Sequence, residues 1–273
     1  MHVHPLAVLG VAGIMTAGAL LAAPEVPGAG LAGLRAGFTG VSTASQEFPE
    51  VPYDGRYTFV RIAFDQGRSG MGSFGGFGGR GRGPAWAHDY PRAEANFAKI
   101  LEEVTLLDPY LGGSRILRMD DPEIFKYPVL YVVEVGFWNA TEPEVAALGE
   151  YLAKGGFLIV DDFRDRQIWN IDAILSRAVP GSRIREIPDD HPIFDAFFRI
   201  EDPHTLTSYG YQPPSYLGLY EGDDPEGRLM AILNYNGDMA EYWEYSDYGY
   251  LPIDLTNEAY KFGVNYIVYA MTH

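Results

Sequence analysis

A three-layer α/β fold, with a mostly parallel sheet between two layers of helices, is predicted for residues 56–273 of this 273-residue chain. Three observations predict it. PVLYVVEVG (Pro128–Gly136) and FLIVDDF (Phe157–Phe163) are nearly continuous apolar runs, the mark of strands covered on both faces. The segment between them, TEPEVAALGEYLAKGG (Thr141–Gly156), has the capping and spacing of a helix. Strand-like and helix-like segments then alternate to the end of the chain, the order that builds a parallel sheet with helices on both sides.

The elements follow in chain order. Residues 1–23 open the chain, and from Leu6 to Ala23 they carry no charge, with Pro5 suited to a first helical turn and Pro24 to a stop. That run is near the lower length limit for crossing a bilayer. No Lys or Arg precedes it, and its one A-x-A site, Ala17-Gly18-Ala19, lies inside the apolar run. The expectation is a membrane anchor or an uncleaved signal-like helix, with a cleaved signal as the alternative and, either way, the rest of the chain on the periplasmic, extracytoplasmic face. Residues 24–55, rich in Gly, Ala and Pro, read as a linker. RYTFVRIAF (Arg56–Phe64) alternates as a first strand. A Gly-rich insertion, residues 67–83, follows and cannot bury enough apolar surface to fold alone.

Helical spacing of Phe97, Ile100, Leu101, Val104 and Leu107 predicts a helix over Ala93–Leu107. RILRM (Arg115–Met119) is a short strand. In the helix over Thr141–Gly156, Thr141 is the N-cap, Pro143 and Glu144 fit the first turn, and Gly155-Gly156 close it. Arg166–Val179 is the next helix, Arg183–Ile187 and Arg228–Tyr235 are strands, and Asn257–His273 is a closing helix.

The formal charge of −17 argues against nucleic acid as a partner, because phosphate binding needs a basic surface. Between Glu201 and Glu258 there are twelve acids against one Arg, Arg228, a face suited to a basic partner or to divalent cations. The chain has no Cys, which excludes disulfides, thiolate nucleophiles, lipoprotein acylation, covalently attached c-type haem and Cys-ligated iron–sulfur clusters. No cofactor is expected.

Carboxylates fall where strands should end: Asp65 after the first strand, Glu134 near the end of VLYVVEV, and Asp161 with Asp162 after FLIV. His191, in DDHPIF, is a candidate to join them. Such a set can hold a hard cation or work as general acid and base. It can equally cap helices, pair with Arg164 and Arg166, or face water. No H-E-x-x-H or G-x-S-x-G spacing is present, and the Gly-rich stretch lacks the phosphate-loop Lys. Within that stretch Phe74, Phe77, Arg80 and Arg82 are candidates for docking a partner. WEYSDYGY (Trp243–Tyr250) reads as an exposed adhesive loop, with Tyr242, Trp243, Tyr245, Tyr248 and Tyr250 as docking residues. His88, in WAHDYPRAEAN, reads as a helix-entry residue.

From Tyr57 to His273 the chain resembles an uncharacterised bacterial domain-of-unknown-function family related to flavodoxin-like and class I glutamine-amidotransferase-like folds. The resemblance is carried by YTFVRIAF, HDYPRAEANF, DDPEIFKYPVLYVVEVG, VAALGEYLAKGGFLIVDDF, DDHPIF, GRLMAILNYNGD and FGVNYIVYAMTH. It implies the fold and no activity. The turn comparable to the amidotransferase nucleophile elbow reads VEVGFW (Val133–Trp138) and holds no Cys, so glutamine hydrolysis by that route is unavailable. The chain also resembles the extrinsic subunits that hold a photosynthetic reaction centre inside its antenna ring in some phototrophic bacteria.

Two functions are expected on this basis. The favoured one is a non-catalytic structural subunit that is attached to the bilayer through residues 1–23 and clamps the subunits of a larger membrane complex. The alternative is an extracytoplasmic hydrolase or carbohydrate-active protein using Asp65, Glu134, Asp161, Asp162 and His191, which requires at least three of these groups to converge in one pocket. A soluble protein that binds a small ligand is a third reading.

Overall fold

The computed structural model describes residues 49–67, 83–206 and 213–273. The anchor assigned to residues 1–23, residues 24–48 of the linker and residues 68–82 of the Gly-rich insertion lie outside them, as do Phe74, Phe77, Arg80 and Arg82. Among the described residues no helix is long and apolar enough to cross a membrane.

Seven strands form one sheet in the order β2-β1-β3-β4-β7-β6-β5. They are β1 (Val60–Ala63), β2 (Arg115–Arg118), β3 (Val129–Val133), β4 (Phe157–Phe163), β5 (Arg185–Glu186), β6 (Ser215–Tyr220) and β7 (Leu229–Tyr235). The block from β2 to β7 is parallel, and β6 and β5 add antiparallel pairings at one edge. The first five positions repeat the 2-1-3-4-5 order of doubly wound sheets, in which the chain changes direction between β1 and β3.

All residues of β3 and β4 are buried, as their unbroken apolar runs require. Their side chains alternate between two cores. Tyr131 and Ile159 join the core under α1 (Arg92–Val104), α4 (Met239–Glu244) and α5 (Ile253–Thr272). Leu130, Val132, Leu158 and Val160 join the core under α2 (Glu142–Ala153) and α3 (Ile168–Ala178).

Local chemistry sets the helix ends. Thr141 and Glu144 form a capping box at α2, and Gly155 behind it adopts φ 97°, a left-handed conformation that terminates the helix cheaply only as Gly. Gly149 lets α2 approach α3 so closely that a Cβ there would sit 2.2 Å from the Ala178 carbonyl oxygen.

The structure corrects several expectations. β6 and α4 were not anticipated, Arg183–Ile187 shrinks to the two residues of β5, and the closing helix begins at Ile253 rather than Asn257. The reading of Tyr242 and Trp243 as exposed docking residues fails. Asp238 caps α4, accepting from the Glu241 amide at 3.0 Å, and the helix turns both rings inward. The Trp243 ring lies 4.5 Å from Phe97, over Gly263, whose missing Cβ makes the room. Tyr245 is half-buried, so only Tyr248 and Tyr250 of that set are exposed, at 65% and 60%.

Candidate cation-binding site

The carboxyl ends of β1, β3, β4 and β7 bring one histidine and a group of acids together. The path from β1 returns through a short 3-10 turn, Ala85–Ala87, to His88 and Asp89. Arg61, fully buried on β1, fixes this return. Its Nη1 donates to the carbonyls of Trp86 at 3.0 Å and His88 at 2.9 Å, and its Nε pairs with Glu94 of α1, also fully buried. Asp89 takes φ 62°, and its carbonyl accepts the Ala93 amide at 3.0 Å as α1 begins.

Asp162 comes from an irregularity in β4. The β4–β7 register breaks between Val160 and Phe163, and Asp162 adopts φ 46°. Such bulges redirect side chains at the ends of sheets. Here the two neighbouring acids part. Asp162 Oδ2 meets His88 Nδ1 at 2.7 Å. Asp161 turns into the core, where it accepts from the Tyr131 hydroxyl at 2.7 Å, Asn234 Nδ2 at 3.0 Å and the Met239 and Ala240 amides at 3.0 and 3.2 Å.

Glu134 follows β3 at φ 51°. Its amide donates to the Asp162 carbonyl at 3.1 Å, and its Oε2 accepts from Gln167 Nε2 at 3.4 Å. Asp238 reaches the group from the β7–α4 connection. Residues other than Gly in the left-handed region carry strain, and strained backbone gathers where a site over-determines it. Asp89, Glu134 and Asp162 all show it at one end of the sheet.

One ligand atom from each of His88, Asp89, Asp162 and Asp238 lies within 4.8 Å of the others. Asp89 is the unusual member. Both of its carboxylate oxygens are buried and have no hydrogen-bond donor, and the nearer lies 3.6 Å from His88 Nδ1. Carboxylates in low dielectric need a cation or a proton. Burial raises Asp89 and Asp238 well above the usual carboxylate range, and burial with the nearby Asp162 charge pushes Glu134 up to about 8. His88 is pushed up to about 10, chiefly by its hydrogen bond to Asp162. Its imidazolium thus supplies positive charge among the acids.

Of the five strand-end candidates read from the sequence, Glu134 and Asp162 come together. Asp161 lies behind them as a structural acceptor. Asp65 faces solvent beside Arg118, 3.1 Å away. His191 is at the opposite edge of the sheet, between Tyr220 and Tyr269, where its Nδ1 accepts the Ile193 amide at 3.2 Å. Sequence reasoning passed over His88, Asp89 and Asp238 as site residues. Asp238 had a signal, because Asp238-Met239-Ala240-Glu241 after a strand is a capping pattern at a strand end.

Fold and site together define an α/β protein with a carboxylate–histidine crevice at the carboxyl edge of a doubly wound sheet. Residues 78–271 match the family model described as "Domain of unknown function (DUF4159)", and the chain belongs to that family. No curated protein matches the chain.

Proposed function

We propose that the domain binds a divalent cation of the Mn2+ or Mg2+ class through Asp89, Asp162, Asp238 and His88, and uses it for hydrolysis. The observation that carries this reading is Asp89, a carboxylate with both oxygens buried, undonated and aimed among three other ligands. A donor set dominated by carboxylate oxygen suits hard cations, and the single imidazole favours Mn2+. Binding expels the His88 proton, since a ligating imidazole is neutral. A bound cation would acidify a water ligand, and Glu134, once the added positive charge has drawn off its own proton, would be the carboxylate that receives the water's. The place, at the carboxyl ends of the parallel strands, is where ligands enter doubly wound sheets. The flavodoxin-like and amidotransferase-like assignment agrees with this strand order. Glu134 then stands on the turn where amidotransferase-like enzymes carry their Cys.

Calorimetric titration with Mn2+ tests the reading. Saturable binding of about one equivalent is expected, weakened at least tenfold in Asp89→Asn. No saturation up to millimolar Mn2+ overturns it.

A structural role in a membrane complex is a second reading, supported by one observation. Tyr248 and Tyr250, on the connector into α5, and Ile253, its first residue, are all largely exposed. Clustered exposed aromatic and apolar side chains suit an interface. Residues 1–23 would supply the attachment to the bilayer, and the partners would be the subunits of a membrane complex, a photosynthetic reaction-centre–antenna assembly among them. Purification in mild detergent should then recover the chain within a large assembly, and a free monomer contradicts this role.

A further inference from the structure

We propose that the groove formed by the run from Arg164 to Trp169 and by Tyr235 binds the substrate of the cation site, and that this substrate is a phosphate ester bearing a planar ring. The inference rests on the cation reading above for the metal and on independent geometry for the groove.

The groove is a broad depression of about 740 Å³, open to solvent on one side. It lies beside Glu134. Gln167 bridges the two, its Nε2 donating to Glu134 Oε2 at 3.4 Å while its Oε1 accepts the Arg164 amide at 2.7 Å. Gly136, on the turn after Glu134, packs so tightly against Gln167 that a Cβ there would lie 2.3 Å from Gln167 Cγ. Groove and crevice therefore share a wall.

Trp169 projects its ring into solvent, 66% exposed, at the start of α3. The Arg166 guanidinium sits 5.5 Å from the centre of that ring, and among the described residues no carboxylate pairs with it. This contrasts with Arg177, Arg183 and Arg185, each matched to an acid. Arg164 adds a second guanidinium to the lining. Asp165 is the acid of the run, held at φ 48° with its carbonyl accepting from the Tyr235 hydroxyl at 3.4 Å. The lining charge is thus positive in a chain of −17.

An exposed indole offers a stacking face for a planar ring. A guanidinium without a carboxylate partner matches phosphate oxygens in bidentate geometry. Mg2+ and Mn2+ in such sites commonly share their coordination between protein carboxylates and a substrate phosphate. A ring would stack on Trp169, with its phosphate held by Arg166 on the side of the cation site.

Phenyl phosphate is the probe, titrated calorimetrically with and without Mn2+ and checked by quenching of indole fluorescence. The full chain is compared with Trp169→Ala and Arg166→Ala, both of which alter exposed side chains and should leave folding and Mn2+ binding intact. Saturable binding is expected, tightened at least tenfold by Mn2+ and weakened at least fivefold by each substitution, with phenol failing to bind. If Mn2+ binds but phenyl phosphate does not, or if neither substitution weakens it, the groove assignment is overturned and the cation reading stands. If Mn2+ does not bind, the cation reading falls. The groove then survives only if phenyl phosphate still binds in an Arg166-dependent manner, and is overturned otherwise.

Discussion

Replacing Arg61 with Met separates the stability of the domain from the organisation of its site. Arg61 and Glu94 are both fully buried, so the variant leaves the Glu94 carboxylate without its partner in low dielectric. Breaking a buried pair by removing one member costs about 3–5 kcal/mol. For a domain of this size each kcal/mol lowers Tm by about 2–4 °C, so a fall of about 6–20 °C is expected. The same substitution also removes the donors to the Trp86 and His88 carbonyls, which hold the return into the crevice. A double variant, Arg61→Met with Glu94→Leu, removes the stranded charge and should recover most of the stability. It does not restore those donors, so its Mn2+ affinity should stay about tenfold below that of the unaltered protein. Thermal unfolding followed by circular dichroism measures the first effect, and calorimetry the second. A single variant that melts within about 3 °C of the unaltered protein, or a double variant with undiminished Mn2+ affinity, refutes the reasoning.

Three further outcomes are expected. Gly149→Ala forces a Cβ to within 2.2 Å of the Ala178 carbonyl, so α2 and α3 must part. The net loss should be about 1–3 kcal/mol in urea denaturation, despite the better helix propensity of Ala. Asp161→Ala strands the Tyr131 hydroxyl, Asn234 Nδ2 and two α4 amides, and should cost about 3–5 kcal/mol by the same measurement. Asp161→Asn should cost clearly less, because Asn234 can reverse its amide toward the new donor and give its own to the Tyr266 hydroxyl, now 2.9 Å away. The third outcome concerns pH. Burial raises Glu134 from 4.5 to about 8, so across that interval the folded chain keeps a proton that the unfolded chain releases. Glu134 therefore contributes a loss of stability in the cation-free protein as pH rises from 4.5 to about 8, and Glu134→Gln should remove that contribution, narrowing the difference between denaturation at pH 5 and at pH 8.

The sheet was legible where burial is total. The runs of β3 and β4 have one interpretation once a capped helix separates them, and Thr141 with Glu144 announced that helix. The antiparallel edge was not legible. β6 reads SYLGLY, a short run with a Gly in the middle, and its assignment depends on pairing with β7 rather than on its own pattern. The aromatic segment misled for a related reason. Tyr and Trp suit interfaces and cores equally, and the orientation of Tyr242 and Trp243 is decided by a six-residue helix docked on Phe97 and Gly263.

The same limit governs the site. Strand-end position identified Glu134 and Asp162, because the carboxyl ends of parallel strands share one edge. It could not show that a register break sends Asp161 and Asp162 opposite ways. Nor could it bring His88 and Asp89 back across a Gly-rich stretch, since that return depends on Arg61, a charge inside a strand that otherwise reads as ordinary alternation.

The most direct test of the account is a crystal structure of the protein soaked in Mn2+, with anomalous scattering recorded at the manganese edge. One anomalous peak is expected among His88, Asp89, Asp162 and Asp238, with the Asp89 carboxylate coordinated. A map with no peak in that crevice, or with Asp89 donated to by water alone, contradicts the account.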